Sequence, residues 1–395
     1  MATFMTNTIA HSLSLIALAS CAGANSVDSG SSSDMAATTA GSDTEEPDWS
    51  VSELATFDEP WAIEFAPGTD MLFVTEQAGT MKFLDTGSGQ VGSVSGLPRV
   101  DYGGQGGLGD IAFLPSEAGA GIANRTIYLS WAEAGEGDTR GAVVGRGMLS
   151  CDMARSCAIE GLNVIWRQDP KVTGRGHYSH RFAVSPDGEH LFVASGDRQK
   201  KTPAQDLSNT LGTIVRLNLD GTPAAGNPYA DRDDVPDEIW SWGHRNILGM
   251  DFDAQGRLWE TEHGPAGGDE LNVVKRGANY GWPERSYGDE YNGTPIADHT
   301  PDDGFTKPAM YWTPVIAPGD MIIYSGDMFE AWQGDALIAN LKTMALVRVE
   351  LDGDDAREVA RYDFENRLRS IDQGPDGAIY LAEDGENGRI LKVSM

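Results

Sequence analysis

From Trp49 onward the chain is written in short apolar runs broken by Pro, Asp and Gly, with few stretches of helical period. One phrase recurs: an apolar residue, a turn holding Pro, Asp or Gly, then an apolar-aromatic run. It is found at 63–76 (IEFAPGTDMLFVTE), 111–130 (IAFLPSEAGAGIANRTIYLS) and 182–195 (FAVSPDGEHLFVAS). It returns at 250–262 (MDFDAQGRLWETE), 328–340 (MFEAWQGDALIAN) and 371–383 (IDQGPDGAIYLAE). Each turn is expected to join two strands whose alternating side chains put one face inward. Six imperfect copies spread along the chain predict an all-β fold, a six-bladed β-propeller over 48–395, in preference to an irregular double sandwich. The loops of such a fold converge on a channel mouth, and the functional site is expected there.

The first residues follow another pattern. Ile9 to Ala19 is an apolar run too short to span a membrane as a mature helix, with no Lys or Arg ahead of it. It runs into Leu18-Ala19-Ser20-Cys21, which matches a lipobox, where the Cys becomes the lipidated first residue. A plain signal peptide cut nearby fits the same small residues. Residues 1–21 are therefore expected to be an export peptide, and 22–47 a Ser/Ala/Gly/Thr tether too polar to pack. The protein is expected to face the periplasm as an outer-membrane lipoprotein that touches the membrane only through Cys21. In that setting Cys151 and Cys157 are placed for a small-loop disulfide, and no second Cys or His pair supports a metal reading.

Charge narrows the partners. With 29 Lys+Arg against 60 Asp+Glu the formal net charge is −31, which argues against nucleic acid. An anionic ligand would need a local basic cluster, so the few cations become informative. Asn366-Arg367-Leu368-Arg369 sets two guanidiniums on one face of an extended run, either to share an anion or to lie in solvent among acidic neighbours. Lys342 and Arg245, each just past a strand, are candidates for the same anion cradle.

Other motifs point to proton chemistry and to a cation. His177, in GRGHYSHRF, precedes a repeated strand, and Asp197 ends the partner strand. A hairpin would bring the carboxylate back to the imidazole, the arrangement a general base needs; a plain surface loop also accounts for a lone His. Gly104-Gln105-Gly106-Gly107-Leu108-Gly109 satisfies GxGxxG, but DIAFLP after it reads as a strand, so the dinucleotide reading fails. Its glycines suit a backbone that approaches a ligand, with Gln105 as the side chain offered. In HGPAGGDELN (263–272), carbonyls backed by Asp269 and Glu270 suit Ca²⁺, and equally suit a tight turn without metal. HExxH, P-loop and GxSxG motifs are absent.

Together, GQGGLGDIAF, HYSHRFAVSPDG, QDLSNTLGTIVRLNLDG, EIWSWGHRN, EHGPAGGDELNVVKRGANYGWP, NLK and NRLR resemble the soluble PQQ-dependent glucose/sorbosone dehydrogenases. The resemblance runs from PWAIEFAP to RILKV in the family's order and is closest to the bacterial aldose sugar dehydrogenase branch. It implies oxidation of an aldose's anomeric hydroxyl to a lactone, by hydride transfer to C5 of PQQ, with an external electron acceptor. It implies His177 as general base, Asp197 as its orienting carboxylate, and Gln105 beside sugar and cofactor. Arg245 and Asn246 would meet the quinone oxygens, and Lys342, Arg367 and Arg369 the cofactor's carboxylates. Gly264 and Pro265 would offer backbone carbonyls to Ca²⁺. The chain departs from the family at Ile247, where many members have Pro, and at Thr213, where Lys is common. His180 replaces a common Gly, and APGDM (317–321) lacks an aromatic found near the sugar in glucose-type enzymes. The competing readings are a non-catalytic propeller lipoprotein acting as a scaffold, and a metal-dependent lactonase. The lactonase would need metal-binding side chains where these loops offer Arg and Lys.

Overall fold

The computed structural model describes residues 49–152 and 156–395. The segments expected to be an export peptide and a tether, with Cys21, lie outside them. Among the described residues the fold is all-β, with three short 3-10 turns and no α-helix, and no helix long and apolar enough to cross a membrane.

The strands form four four-stranded sheets, one eight-stranded sheet and a two-stranded ribbon. The eight-stranded sheet consists of two antiparallel halves joined where Ser93–Ser95 runs parallel to Ser156–Ala158. Counted by halves, six four-stranded units follow one another at 60–95, 108–167, 179–242, 247–312, 318–363 and 368–394. The last is completed from the other end of the described chain: Ser50–Phe57 pairs antiparallel with Gly388–Ser394. Each unit begins with a strand at the centre, namely Pro60–Phe65, Leu108–Phe113, Ser179–Val184, Ile247–Phe252, Pro318–Ile323 and Leu368–Gln373. These six contact one another in a closed cycle.

Apolar packing follows the same cycle. Phe73, Met81 and Phe83 of the first unit bury against Phe113, Ile127 and Trp131 of the second. Tyr128, Val144 and Trp166 of the second meet Phe182, Leu191 and Val215 of the third. The circuit ends where Phe65, Leu72 and Val74 pack on Tyr380, Ala382 and Ile390. The alternation seen in the sequence therefore buries the faces of successive sheets against each other.

The repeated turns explain themselves. Gly68, Gly188, Gly256 and Gly377 sit at φ +74°, +71°, +77° and +78°, a region open to glycine and costly for other residues. Five of the six expected hairpins form at the expected places. The fifth needs correction. At 328–340 only Ala336–Asn340 is a strand, and its partner is Pro318–Ile323. Phe329 and Trp332 instead stack on each other around the 3-10 turn Glu330–Trp332, both buried. Their i, i+3 spacing places two large rings on one side of a tight turn, which a strand would put on opposite faces.

A central strand has a backbone partner on one side only, so the N–H groups on the other need acceptors. Carboxylates from adjacent sheets supply them. Asp110 accepts Phe182 N–H at 2.7 Å, Asp251 accepts Ile323 N–H at 2.7 Å, and Asp372 accepts Phe65 N–H at 2.6 Å. Asp320 takes Ile371 N–H at 3.3 Å. Arg181 lies among them, 3.0 Å from Asp110 and 3.2 Å from Asp320. Cys151 and Cys157 are joined by a disulfide.

Burial raises the Asp251 carboxyl to about 6, against roughly 4 in an unfolded chain. The folded form thus holds this proton more tightly, and its contribution to stability falls as pH rises from about 4 through 6. Asp251→Asn keeps an acceptor for Ile323 N–H and removes the titration. Thermal melts across that range are expected to show a shallower downward slope with pH in the variant than in the parent.

Candidate active site

At one end of the central strands lies a cavity of about 350 Å³, lined by Gln105, Asn246, His263, Arg367, Arg369 and Asp384 among others. Beside it stands the His177–Asp197 pair. Asp197 follows the strand His190–Ser195, which pairs with Ser179–Val184, and the hairpin returns the carboxylate to His177 Nδ1 at 2.7 Å. An ionised carboxylate only accepts, so Nδ1 carries the proton and Nε2 keeps a bare lone pair. Asp197, fully buried, also accepts Trp282 Nε1–H at 2.8 Å and the N–H groups of Gln199 and Lys201. These bonds, His177 first, hold its carboxyl below the usual range although burial alone would raise it. Burial pushes His177 below the ordinary imidazole value; the bond to Asp197 opposes that and nearby Arg245 adds to it.

The backbone here is strained. His177, Ser179, His180, Arg198, Gln199 and Lys201 all have φ between +48° and +63°, unusual for residues with a Cβ and costing ~1–3 kcal/mol each in sparsely populated regions. The surroundings hold them there. Gln105 Oε1 accepts His177 N–H at 2.6 Å. The buried Arg198 guanidinium donates to the carbonyls of Gly176, Arg140 and Gly174 at 2.9, 2.8 and 2.6 Å. His180 takes a left-handed φ in which glycine would be at ease. Its ring stacks on Trp61, with centroids 4.8 Å apart, and contacts Ser130 Oγ at 2.7 Å. A Cβ on Gly109 would fall 2.0 Å from that ring, so Gly109 leaves the space it fills.

Arg245 and Asn246 precede Ile247–Phe252, and the buried Glu262 carboxylate accepts both their backbone N–H groups. The Arg245 guanidinium donates to His263 O at 2.9 Å and to the Tyr291 hydroxyl at 3.2 Å, while its buried Nε has no partner. Arg245 O accepts Asp197 N–H at 2.9 Å, tying this residue to the His177 pair. Behind Glu262, His244 Nδ1 stands 3.4 Å from Glu262 and 3.5 Å from Glu260, all three buried. Against the lowering effect of burial, Glu260 and Glu262 raise His244 to about 9, so it is an imidazolium at neutral pH.

Arg367 and Arg369 do share an anion, one from the chain itself. Asp384 accepts Nε–H from each at 2.8 Å. Arg367 is half exposed and Arg369 mostly covered, and both retain N–H donors beyond those used. Gly264 and Pro265 are buried, and neither carbonyl accepts a hydrogen bond among the described residues. Asp269 fixes this loop by accepting Gly264 N–H at 2.8 Å and Ala317 N–H at 2.6 Å. Gln105, Asn246, Arg367 and Arg369 thus line one cavity, with His177, Asp197 and Arg245 beside it. Lys342 is exposed and does not line it.

The Glucose / Sorbosone dehydrogenase family model matches residues 57–392. This chain belongs to the glucose/sorbosone dehydrogenase family. It is 35% identical over 342 residues to the aldose sugar dehydrogenase YliI of Escherichia coli K12, covering 85% of this chain and 90% of that protein. The apo crystal structure of the soluble aldose sugar dehydrogenase from Escherichia coli superposes with a TM-score of 0.80 at 34% identity, over 88% of this chain and 99% of that one. The PQQ-bound aldose sugar dehydrogenase of Streptomyces coelicolor gives 0.71 at 26% identity, over 88% and 98%. These place the chain in the aldose sugar dehydrogenase branch of the family.

Several contributors went unassigned in the sequence. Asp384, Glu262, His244 and Arg198 act on partners 17, 17, 18 and 22 or more positions away or through buried backbone. Glu262, His244 and Trp282 stood inside motifs already singled out, in EHGPAGG, EIWSWGHRN and GANYGWP, without a role of their own. His244→Ala leaves Glu260 and Glu262 buried without their counter-charge and is expected to cost ~3–5 kcal/mol, read as a lower urea midpoint.

Proposed function

We propose that this protein is a PQQ- and Ca²⁺-dependent aldose dehydrogenase, a six-bladed propeller with its cofactor cavity at one channel mouth. In this reading it oxidises the anomeric hydroxyl of an aldose to the lactone and passes the electrons to an external acceptor. The observation that carries it is a buried His177–Asp197 pair, with a bare Nε2, beside a cavity lined by Arg367 and Arg369 in a strongly acidic chain. The closed cycle of central strands supports the propeller.

The residues present fit the expected groups. Arg245 keeps a buried Nε–H without a partner, Arg367 and Arg369 keep donors free, and two buried carbonyls at Gly264 and Pro265 take no hydrogen bond. Arg367 and Arg369 would hold carboxylates of the cofactor, Arg245 and Asn246 its quinone oxygens, and Gly264 and Pro265 the Ca²⁺. Exposed Lys342 stands outside the cavity wall and would serve only an extended carboxylate. Bound there, the Ca²⁺-polarised quinone supplies the two-electron acceptor for hydrogen at the sugar's C1.

The chain's own residues handle the proton. His177 Nε2 takes it from the anomeric hydroxyl, while Asp197 holds the ring in the required tautomer and stabilises the imidazolium that forms. Trp282 and two backbone N–H groups keep Asp197 ionised. Arg245 places positive charge beside the site, favouring negative charge that develops there. Its cation also disfavours early protonation of His177, so the base remains neutral below the usual imidazole range. Export with a lipid anchor at Cys21 belongs to the same proposal. The Cys151–Cys157 disulfide, a bond suited to an oxidising compartment, supports the export.

Reconstitution with PQQ and Ca²⁺, followed by aldose-dependent reduction of an electron-accepting dye, tests the reading. No turnover with any aldose and no PQQ binding would falsify it. His177→Ala is expected to lower kcat by ~10²–10⁴-fold with PQQ still bound. The acid limb of kcat/KM is expected below pH ~6.5, since the active form is the unprotonated imidazole and burial favours it. Arg369→Ala is expected to weaken PQQ binding by ~1.5–3 kcal/mol, measured by calorimetry.

A further inference from the structure

Tyr291 has no packing role, yet it is held in place. Its ring is 76% exposed, the most exposed of the large apolar side chains described. Its hydroxyl accepts from Arg245 at 3.2 Å, and its ring lies 6.0 Å from that guanidinium. Arg245 is thereby flanked by two aromatics, with buried Trp282 at 5.1 Å on another side. Trp282 in turn donates to Asp197. One chain of contacts therefore runs from the exposed tyrosine to the carboxylate of the base.

The segment carrying Tyr291 is fixed at several points. Glu290 N–H donates to Thr294 O at 2.9 Å, and Gly293 N–H to Glu290 O at 2.8 Å, closing a turn around Tyr291-Asn292. Asn292 Oδ1 caps Thr294 N–H at 3.0 Å. Just before the turn, Gly288–Asp289 pairs with Ala266–Gly267, next to the proposed Ca²⁺ carbonyls. Glu290 forms a 2.5 Å ion pair with Lys201, whose backbone N–H donates to Asp197. The turn is thus pinned to both the Arg245 side and the His177–Asp197 side of the site.

Exposure of a single ring is ordinary on a surface; here the exposed face is held at a fixed place next to Arg245 by the pinned turn. We infer that Tyr291 is a sugar platform: its exposed face stacks against the C–H face of an aldose ring and sets how tightly substrate is held beside His177. The inference rests on the aldose dehydrogenase reading and assigns a residue to its substrate side. The face of a pyranose that carries axial C–H groups suits this surface, whereas an open-chain polyol presents no such flat face. The hydroxyl bond to Arg245 orients the ring and is separable from the stacking itself.

The test uses the full PQQ- and Ca²⁺-loaded enzyme with three variants. Tyr291→Ala is expected to raise KM for pyranose aldoses about ten-fold, the scale of one lost aromatic contact. The Ki of a 1-deoxy-pyranose, which lacks the anomeric hydroxyl and is not turned over, is expected to rise in parallel. PQQ affinity and kcat are expected to stay within about two-fold, small beside that change. Tyr291→Phe keeps the face and is expected to retain most of the affinity. Tyr311→Ala removes a ring already stacked on Tyr287 at 3.7 Å and is expected to leave KM unchanged. Unchanged KM and Ki in Tyr291→Ala overturn the platform while the aldose reading stands, and so does Tyr291→Phe failing as badly as Ala. If the unsubstituted enzyme binds PQQ and oxidises no aldose, the functional reading itself fails. Saturation-transfer NMR of the deoxy sugar then shows no Tyr291-dependent signal, and the platform falls with it.

Discussion

Buried carboxylates that accept backbone N–H groups hold this structure together. Each central strand has one unpaired edge, and a β-sheet cannot satisfy it without a further strand. Asp110, Asp251, Asp320 and Asp372 reach from one sheet to the next and accept those N–H groups. The same device builds the site. Glu262 accepts the backbone of Arg245 and Asn246, Asp269 that of Gly264 and Ala317, and Asp197 that of Gln199 and Lys201. Part of the acidity that reads as surface charge is therefore internal and structural.

Internal acidity has an electrostatic consequence, since a buried carboxylate needs donors or a counter-charge. Arg181 meets this need at the centre and His244 does so behind Glu262. At the cavity, Asp384 engages both Arg367 and Arg369 through their Nε atoms. A guanidinium has five donors, so one carboxylate does not exhaust it. Asp384 instead fixes the direction in which two adjacent cations point and lessens their mutual repulsion. They can then meet another anion without first being ordered, which lowers the cost of binding it.

The sequence made the strand scheme legible because its turn chemistry is local. Glycines at left-handed φ, two of them in Pro-Asp-Gly, turn the chain in four of the five hairpins that form. The phrase at 328–340 failed for a reason equally physical: Phe329 and Trp332 stack on each other around a 3-10 turn instead of alternating along a strand. The His177–Asp197 contact was legible because one hairpin sets it. Asp384, Glu262 and Arg198 were not, since nothing in a single run of residues shows which backbone group a distant carboxylate or guanidinium will meet. Lys342 is exposed and absent from the cavity lining, so the structure gives its place in the chain without a partner for its charge among the described residues.

The strain at 177–180 and 198–201 belongs to the same logic. Six left-handed residues with side chains would relax if their loops were free. Arg198 spans both loops, bonding the carbonyls of Gly174 and Gly176 from its own left-handed position. It is fully buried and has no carboxylate partner among its hydrogen bonds, so its charge is balanced by carbonyl dipoles and by Tyr178, 3.7 Å away across the ring face. A guanidinium used this way can meet three carbonyls at once with rigid geometry, which a lysine cannot do. The His177 loop is therefore held by donors that carry no proton to lose near neutral pH. That leaves His177 as the group there that titrates, with Asp197 fixed below it and Arg198 fixed above.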